Sequence, residues 1–544
     1  MNTEFDALQA NSTWELSELP PGRKAIGCKW VFRVKEDSEG NMARYKARLV
    51  AQEFTQQLHF DDEETFAPVL KHSTFRILVA VAAAKNFELK QLDVETAYLH
   101  SKVEEEIYMR QPPGYTVESK DNKTLFCKLH RSLYGLKQSG RNWNRLLHGW
   151  LTKNGFKRSS SDYCLYTCTG PNFFAIGVYV DDIITVAEDP SQRETFVKQL
   201  GSTFKIQDLG LLSWCLGIKI EQRAEAIVLH QSKYVEDMLQ QYSMQDSKPQ
   251  ATPAINVRLT REDSPKDGSA EAQHMQQVPY RSLAGSLNYA AVCTRPDVAF
   301  AVGEVCAHMN NPGERHWIAA KRVLRYLKGT SSVGIGFTKH CDELKLEGYS
   351  DSDWAGDIDT RRSTTGYIFT LAGGPISWSS KRQHTVALSS TEAEYMAITS
   401  STQEAIFLRN ILQDLGFEQT GPDNQSCIAM TLNPLKPRRT KHMDIRHHFV
   451  RDATNRGEVK ASYLPTDKMP ADCLTKPATA AKLKNFIDVI MASRKSISDF
   501  GRKAKGRVGM MLYSRIVLFS SQFCLPSALT WFVWFNLLLI IGSF

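Results

Sequence analysis

Two adjacent aspartates set between β-rich runs constrain this chain more than any other feature. Phe173-Phe174-Ala175-Ile176-Gly177-Val178-Tyr179-Val180 is an apolar strand, Asp181-Asp182 follows, and Ile183-Ile184-Thr185-Val186 resumes the β pattern. Two strands parted by two acids predict a hairpin with both carboxylates at its tip. Taken alone, Asp-Asp is an ordinary polar turn. Upstream, however, helical spacing over Ser73–Asn86 leads into Lys90-Gln91-Leu92-Asp93-Val94, a strand ending at a third acid. Loops at strand ends collect functional groups. Three carboxylates gathered there repel unless divalent cations neutralise them. Two magnesium ions about 3.5–4 Å apart are the common solution for in-line phosphoryl displacement.

The rest of the chain gives this site a globular setting. Its 42% hydrophobic and 23% charged residues exclude a disordered tail, and 544 residues leave room for several domains. Texture divides it into four: 1–225, with short strands alternating with helices; 226–340, richer in helical spacing; 341–488, strands and then helices; and 489–544. The fold class is therefore α+β. Within the second stretch, Asp246–Gln277 lacks apolar periodicity and is expected to be a linker or long loop. Lys and Arg exceed Asp and Glu by eight, which suits a nucleic-acid partner because neutralised phosphates release counterions. Eleven scattered cysteines, with Cys164 and Cys168 lacking a matching second pair, indicate no zinc site and fit a reducing compartment. Residues 1–25 contain no apolar run, so no secretory signal is expected.

Five segments, in order, resemble the reverse transcriptase of copia-type retrotransposons. Tyr179-Val180-Asp181-Asp182 resembles its Tyr-X-Asp-Asp box, and Leu92-Asp93-Val94-Glu95-Thr96-Ala97-Tyr98-Leu99 its first catalytic segment. Tyr45–Ala51 resembles the fingers segment, Arg131–Ser139 the one that positions template and nucleotide, and Trp214-Cys215-Leu216-Gly217-Ile218 the primer-holding one. The resemblance implies a right-hand polymerase of fingers, palm and thumb that copies RNA into DNA with two Mg2+ (or Mn2+) ions per active site. Asp93 and Asp181 would hold both ions and Asp182 would contribute more loosely. Lys46 and Arg48 would pair with the triphosphate, although a solvated basic strand explains them equally well. Tyr98 would exclude a ribose 2′-hydroxyl, its alternative being a core aromatic. Gly135 and Gln138 would let backbone and amide approach the nucleotide. One departure stands out: the family usually has Gly at Glu53. If that position holds positive φ, a Glu there costs about 1 kcal/mol or more.

A second set of acids follows. Leu344, Leu346 and Gly348 alternate into a strand ending at Ser350-Asp351-Ser352-Asp353. Tyr367–Leu371, Gly373-Gly374 and Ile376–Ser379 predict a hairpin. One helix is expected from near Ser390, with Glu394 in its first turn, and another carrying Ala405, Leu408, Ile411 and Leu415 up to Gly416. The run resembles the copia-type ribonuclease H domain. That implies Asp351, Glu394, Asp423 and Asp472 as metal ligands cleaving RNA in the RNA–DNA hybrid. Surface acids at turns and helix starts are the plain alternative. Gln419-Thr420-Gly421-Pro422 cannot make the strand the family places before Asp423, which points to a deletion and an impaired nuclease. Lys441–His448 has a basic, histidine-rich texture that could face the hybrid.

Residues 226–340 resemble the thumb and connection, with Ala320–Lys328 reading either as a duplex-tracking basic helix or as a helix with a solvated charged face. After Arg515 no charge appears, and Cys524–Ile541 is apolar enough for a membrane anchor preceded by Arg502, Lys503, Lys505 and Arg507. Read-through into noncoding sequence accounts for that tail as well. The expected partners are an RNA template, a DNA primer, the RNA–DNA hybrid and deoxynucleoside triphosphates, in a cytoplasmic virus-like particle or the nucleus. The alternative is a catalytically decayed fragment that at most binds nucleic acid.

Overall fold

Aromatic and β-branched residues between Cys28 and Ala51 form a two-stranded antiparallel ribbon, β1 (Cys28–Glu36) and β2 (Met42–Ala51), with Trp30 opposite Leu49. Leu49 lies in a small core with Leu8, Ile26 and Leu133, and Trp30 packs against it. The computed structural model describes residues 1–36, 42–56, 65–119, 121, 123–255, 258–341, 343–419, 426–429 and 441–493. The tail, its apolar stretch and Asp423 lie outside them. Among the described residues, no helix is long and apolar enough to cross a membrane.

Helix α1 (His72–Lys85) is buried continuously from Thr74 to Ala84. A helix apolar on nearly every side belongs inside a molecule. It ends at Asn86, whose left-handed φ of 54° supplies the C-cap. The chain then enters β3 (Glu88–Val94), in the middle of a six-stranded sheet. The other strands are β4 (Phe156–Arg158), β5 (Leu165–Cys168), β6 (Phe174–Tyr179), β7 (Asp182–Ala187) and β8 (Ile206–Leu211), in the order β8-β3-β7-β6-β5-β4. Helix α2 (Ser139–Lys153) buries Trp143, Leu147 and Leu151.

The stretch 226–340, richer in helices as its spacing predicts, shares a sheet with the residues before it: β9 (Trp214–Cys215), β10 (Ile218–Gln222), β11 (Ala226–His230) and β12 (Val333–Thr338), joined at one edge by Ala492–Ser493. Helices α3 (Tyr280–Cys293), α4 (Ala299–Cys306) and α5 (Glu314–Gly329) form a separate apolar cluster. The polar stretch 246–277 is not a bare linker. It contains a 3-10 turn, Arg261–Asp263, and a helix, Ala270–Gln277, that buries Met275. Hydrogen bonds to α5 make it a strap: Arg325 Nε donates to Lys248 O (2.6 Å), Lys328 Nζ to Ser247 O (2.8 Å) and Arg322 Nη2 to Thr252 Oγ1 (3.0 Å). Three cations that could have tracked a duplex are thus engaged within the fold.

The last sheet contains β13 (Glu347–Ser352), β14 (Thr364–Leu371), β15 (Gly374–Arg382), β16 (Ser426–Ala429) and β17 (Val459–Ser462), in the order β15-β14-β13-β16-β17. The first three are antiparallel, whereas β16 runs parallel to β13 and β17. The predicted hairpin is present, turning at Ala372 (φ 49°) and Gly373 (φ 79°). The two helices expected after it are one, α6 (Ser390–Asp414), capped by Ser389 through Glu392 N. Nothing between Glu394 and Ala405 breaks helical geometry, so the apolar faces read separately are continuous. Ile183, Ile335, Phe369 and Leu408 share one core.

Candidate functional site

The first acid group is built on a turn under strain. Asp182 pairs with Tyr179, so the tip is Val180-Asp181 and Asp182 already belongs to β7. Both acids were expected at the tip, but only Asp181 is there. Val180, a β-branched residue, takes a left-handed φ of 58°. Such a conformation costs about 1–3 kcal/mol and persists where the surroundings enforce it. Here the buried Trp143 donates its indole N–H to Val180 O at 2.7 Å. From the other side, Val94 N donates to Asp181 O at 2.9 Å. Asp182 stands directly across from Asp93 in the β7–β3 register. Like charges in that position repel. The two acids of the box have separate partners: Gln91 Nε2 donates to Asp182 Oδ1 at 2.6 Å, and Arg48 Nη2 lies 3.8 Å from Asp181 Oδ2.

Arg48 extends this group toward the ribbon. Its guanidinium carbon lies 4.4 Å from the centre of the Tyr134 ring, and Tyr134 meets Tyr98 with 4.8 Å between ring centres. Burial and the nearby Asp181 raise the Tyr98 hydroxyl pKa, which Arg48 opposes. Lys46 lies two residues before Arg48 on β2, and Glu4 lies beside both cations. Burial raises the Glu4 carboxyl pKa, with Lys46 and Arg48 opposing the rise. Gly135 is required where it stands: its φ is 89°, and a Cβ would lie 2.1 Å from Ala51 O. Gln138 is fully buried, and its Oε1 accepts from Gln56 Nε2 at 3.1 Å. Glu53 opens a short 3-10 turn, is exposed and does not have positive φ, so the expected backbone penalty is absent.

The segment Trp214–Ile218 forms a tight hairpin in which Cys215 pairs with Ile218 across Leu216 (φ 51°) and Gly217 (φ 66°). Tyr289 of α3 donates its hydroxyl to Leu216 O.

The second acid group is organised differently. Asp351 and Asp353 flank the end of β13, and Asp472 lies in a 3-10 turn, Pro470–Leu474. Thr475 Oγ1 donates to Asp351 Oδ2 at 2.6 Å. Burial pushes the Asp351 carboxyl pKa above its usual range; Asp472 and Asp353 add to the rise, and Thr475 and Lys476 oppose it. Arg258 from the strap reaches Asp353 Oδ2 at 3.2 Å. Asp472 is 4% exposed and held by two ammonium groups, Lys482 Nζ on Oδ2 at 3.0 Å and Lys476 Nζ on Oδ1. Glu394 is half-buried on α6. Strand β16 starts at Ser426, three residues after Asp423, so the described strand follows that acid in sequence.

Among the described residues, no three His, Cys, Asp or Glu side chains converge closely enough to hold a metal ion. The first group nevertheless suits hard cations, with oxygen donors only and a cross-strand pair of like charges to relieve. In the second, among the described residues, both Asp472 oxygens are paired with lysines. Sequence reasoning missed Gln91, Trp143, Tyr134 and Lys476. Gln91 and Tyr134 lie within quoted segments and Trp143 on an amphipathic helix, and the fold brings them to Asp182, to Arg48 and to the Val180 turn; Lys476 stands four residues after Asp472.

A family profile described as "Reverse transcriptase (RNA-dependent DNA polymerase)" matches residues 11–256. The chain is 43% identical over 485 residues to the retrovirus-related Pol polyprotein from transposon TNT 1-94 of Nicotiana tabacum, a match covering 88% of this chain and 36% of that protein. It is 38% identical over 502 residues to the Pol polyprotein from transposon RE1 of Arabidopsis thaliana, covering 91% and 34%. It is also 33% identical over 319 residues to a putative transposon Ty5-1 protein of Saccharomyces cerevisiae, spanning 58% of this chain and all of that one. The chain thus spans about a third of the length of the two plant polyproteins.

Proposed function

The chain belongs to the copia-, Ty1- and Ty5-type LTR-retrotransposon Pol family, and from that we propose that it is an RNA-directed DNA polymerase working on an RNA template and a DNA primer. The observation that carries the reading is the register of β7 on β3. It sets Asp182 opposite Asp93 and leaves Asp181 at a tip enforced by Trp143. In this reading, residues 1–225 are fingers and palm, 226–340 thumb and connection, and 341–488 a ribonuclease H-like domain.

Asp93 and Asp181 would hold two Mg2+ or Mn2+ ions, with Asp182 adding an oxygen; such ions activate a primer 3′-hydroxyl and stabilise a pyrophosphate leaving group. Lys46 and Arg48 bind the triphosphate as point charge and planar fork. Arg48 also keeps Tyr134 and Tyr98 together, so Tyr98 presents a fixed edge against a 2′-hydroxyl. Gly135 keeps this wall flush with the ribbon. Gln138, being buried, supports the wall rather than touching the nucleotide. The hairpin at Trp214–Ile218 steadies the primer end.

For the second half, a hybrid-binding domain with an impaired nuclease fits best, because Asp472 is neutralised by Lys476 and Lys482. The test is primer extension on an RNA template with Mg2+ or Mn2+, comparing the chain with an Asp181→Asn, Asp182→Asn double variant. Extension by the first and none by the second is expected. A folded chain that binds hybrid but never extends it would sink the polymerase reading.

A further inference from the structure

Gln91 stands two residues before Asp93 on β3, so the two side chains share one face of the sheet. That face carries two acids, with Asp93 directly opposite Asp182, and Asp181 precedes Asp182 at the hairpin tip. Gln91 is 6% exposed, and its amide is directed at Asp182 Oδ1, 2.6 Å away. Its neighbours across the sheet do not compete for that amide. On β7 it faces Ile184, and on β8 it faces Gly210, which has no side chain. A long, buried, neutral donor beside two like charges is costly to leave without a partner.

We infer that Gln91 is a positioning residue for the acid site: it fixes the orientation of the Asp182 carboxylate through Oδ1. Asp181 is turned toward Arg48 and Asp182 toward Gln91, which gives the two acids of the box separate duties. Asp181 faces the nucleotide side, and Asp182 supplies one oriented oxygen. The amide does this without adding charge. A Lys or Arg at position 91 would neutralise the acids and compete with a divalent cation, whereas a Glu would deepen their repulsion.

The inference rests on the polymerase reading, so its test includes a readout that needs no turnover. Mn2+ uptake by the whole chain, followed by electron paramagnetic resonance without nucleotide, is compared for the wild type, Gln91→Leu and Gln91→Glu. The Asp181→Asn, Asp182→Asn double variant defines uptake at this site. Leu keeps the volume of Gln and removes the donor, so Gln91→Leu should fold. It is expected to weaken Mn2+ uptake about tenfold, the scale for outer partners of metal ligands, and to lower kcat similarly with the deoxynucleotide KM nearly unchanged. Gln91→Glu is expected to tighten Mn2+ uptake and still lower kcat. A role confined to packing would not move uptake in opposite directions. Equal uptake by all three proteins, or no site-specific uptake by the wild type, overturns the inference. The opposed uptake shifts in a chain that never extends a primer would support it while sinking the polymerase reading.

Discussion

Arg76 holds three parts of the molecule together, and its replacement tests the architecture. It lies on α1, is 5% exposed, and stacks on Trp378 with 4.0 Å from guanidinium carbon to ring centre. Its Nε donates to Ile376 O of β15 at 2.7 Å; Nη1 donates to Val292 O at 2.9 Å and Cys293 O at 3.0 Å, in the last turn of α3. Those two carbonyls are at a helix end, where acceptors lack intrahelical partners and a cation is favoured. Burial lowers the Arg76 pKa to about 9, partly offset by Cys293 and Glu404, so it remains charged at neutral pH. Arg76→Met keeps the aliphatic stem and strands three acceptors, two of them buried. Each stranded acceptor costs about 1–3 kcal/mol, and relief from burying the charge offsets part of the sum. The net is about 3–5 kcal/mol, on the scale of breaking a buried ion pair. Amide exchange read by mass spectrometry on peptides covering β15 and the end of α3 should accelerate by roughly a hundredfold or more, at about 1.4 kcal/mol per tenfold. Arg76→Lys, whose ammonium lacks the planar fork, should fall between. Protection unchanged within about threefold in Arg76→Met would refute the assignment of Arg76 as the link.

Gly135→Ala should lose about 2 kcal/mol or more, because φ is 89° and the new Cβ would meet Ala51 O; a raised deoxynucleotide KM in the folded variant checks the effect on the wall. Burial opposes ionisation of Glu221, but hydrogen bonds from Arg223 and His230 outweigh it and hold the pKa down to about 2. Its contribution, on the order of 2–3 kcal/mol, is therefore full above about pH 4.5 and lost as pH falls toward 2; urea midpoints at pH 5 and 3 should separate less in Glu221→Gln. Lys476→Met removes one of the two ammonium groups on a nearly buried carboxylate and should destabilise the second half by about 2 kcal/mol, while raising Mn2+ uptake there. Calorimetry and uptake in the Asp181→Asn, Asp182→Asn background measure both effects, and unchanged uptake would remove Lys476 as the resident counter-charge.

The elements that the sequence made legible are those where period and punctuation agree. The β6–β7 hairpin, α1 and the β14–β15 turn combine apolar runs with Asp, Asn or Gly at positions needing them. The strap was illegible because its order comes from elsewhere: Lys248, Ser247 and Thr252 are held by Arg325, Lys328 and Arg322, some 70–80 residues later. Polar composition describes both a mobile linker and a segment fixed by a neighbour's cations. Long α6 was divided because two apolar faces were read separately with no breaker between them. Glu53 shows a different limit: whether the family's Gly answers a backbone need depends on φ, and the observed turn imposes no positive φ there.

The two acid groups differ in a way that no motif reveals. Both gather carboxylates at the end of a central strand, and read in one dimension they look like the same device used twice. In the first, the partners within the fold include a neutral amide, Gln91, and a half-buried guanidinium, Arg48, 3.8 Å away. Asp93 and Asp182 stand opposite each other across these strands. In the second, Asp472, Asp351 and Asp353 are met by Lys476, Lys482, Thr475 and Arg258, so much of the charge is balanced from within. Charge balanced by tethered ammonium groups costs a divalent cation the displacement of those groups before it can bind. A carboxylate cluster is therefore informative about metal chemistry only once its neighbours are counted. Here the lysines on Asp472 are what a cation would have to displace, and we propose the group around Asp93 and Asp181 as the working centre.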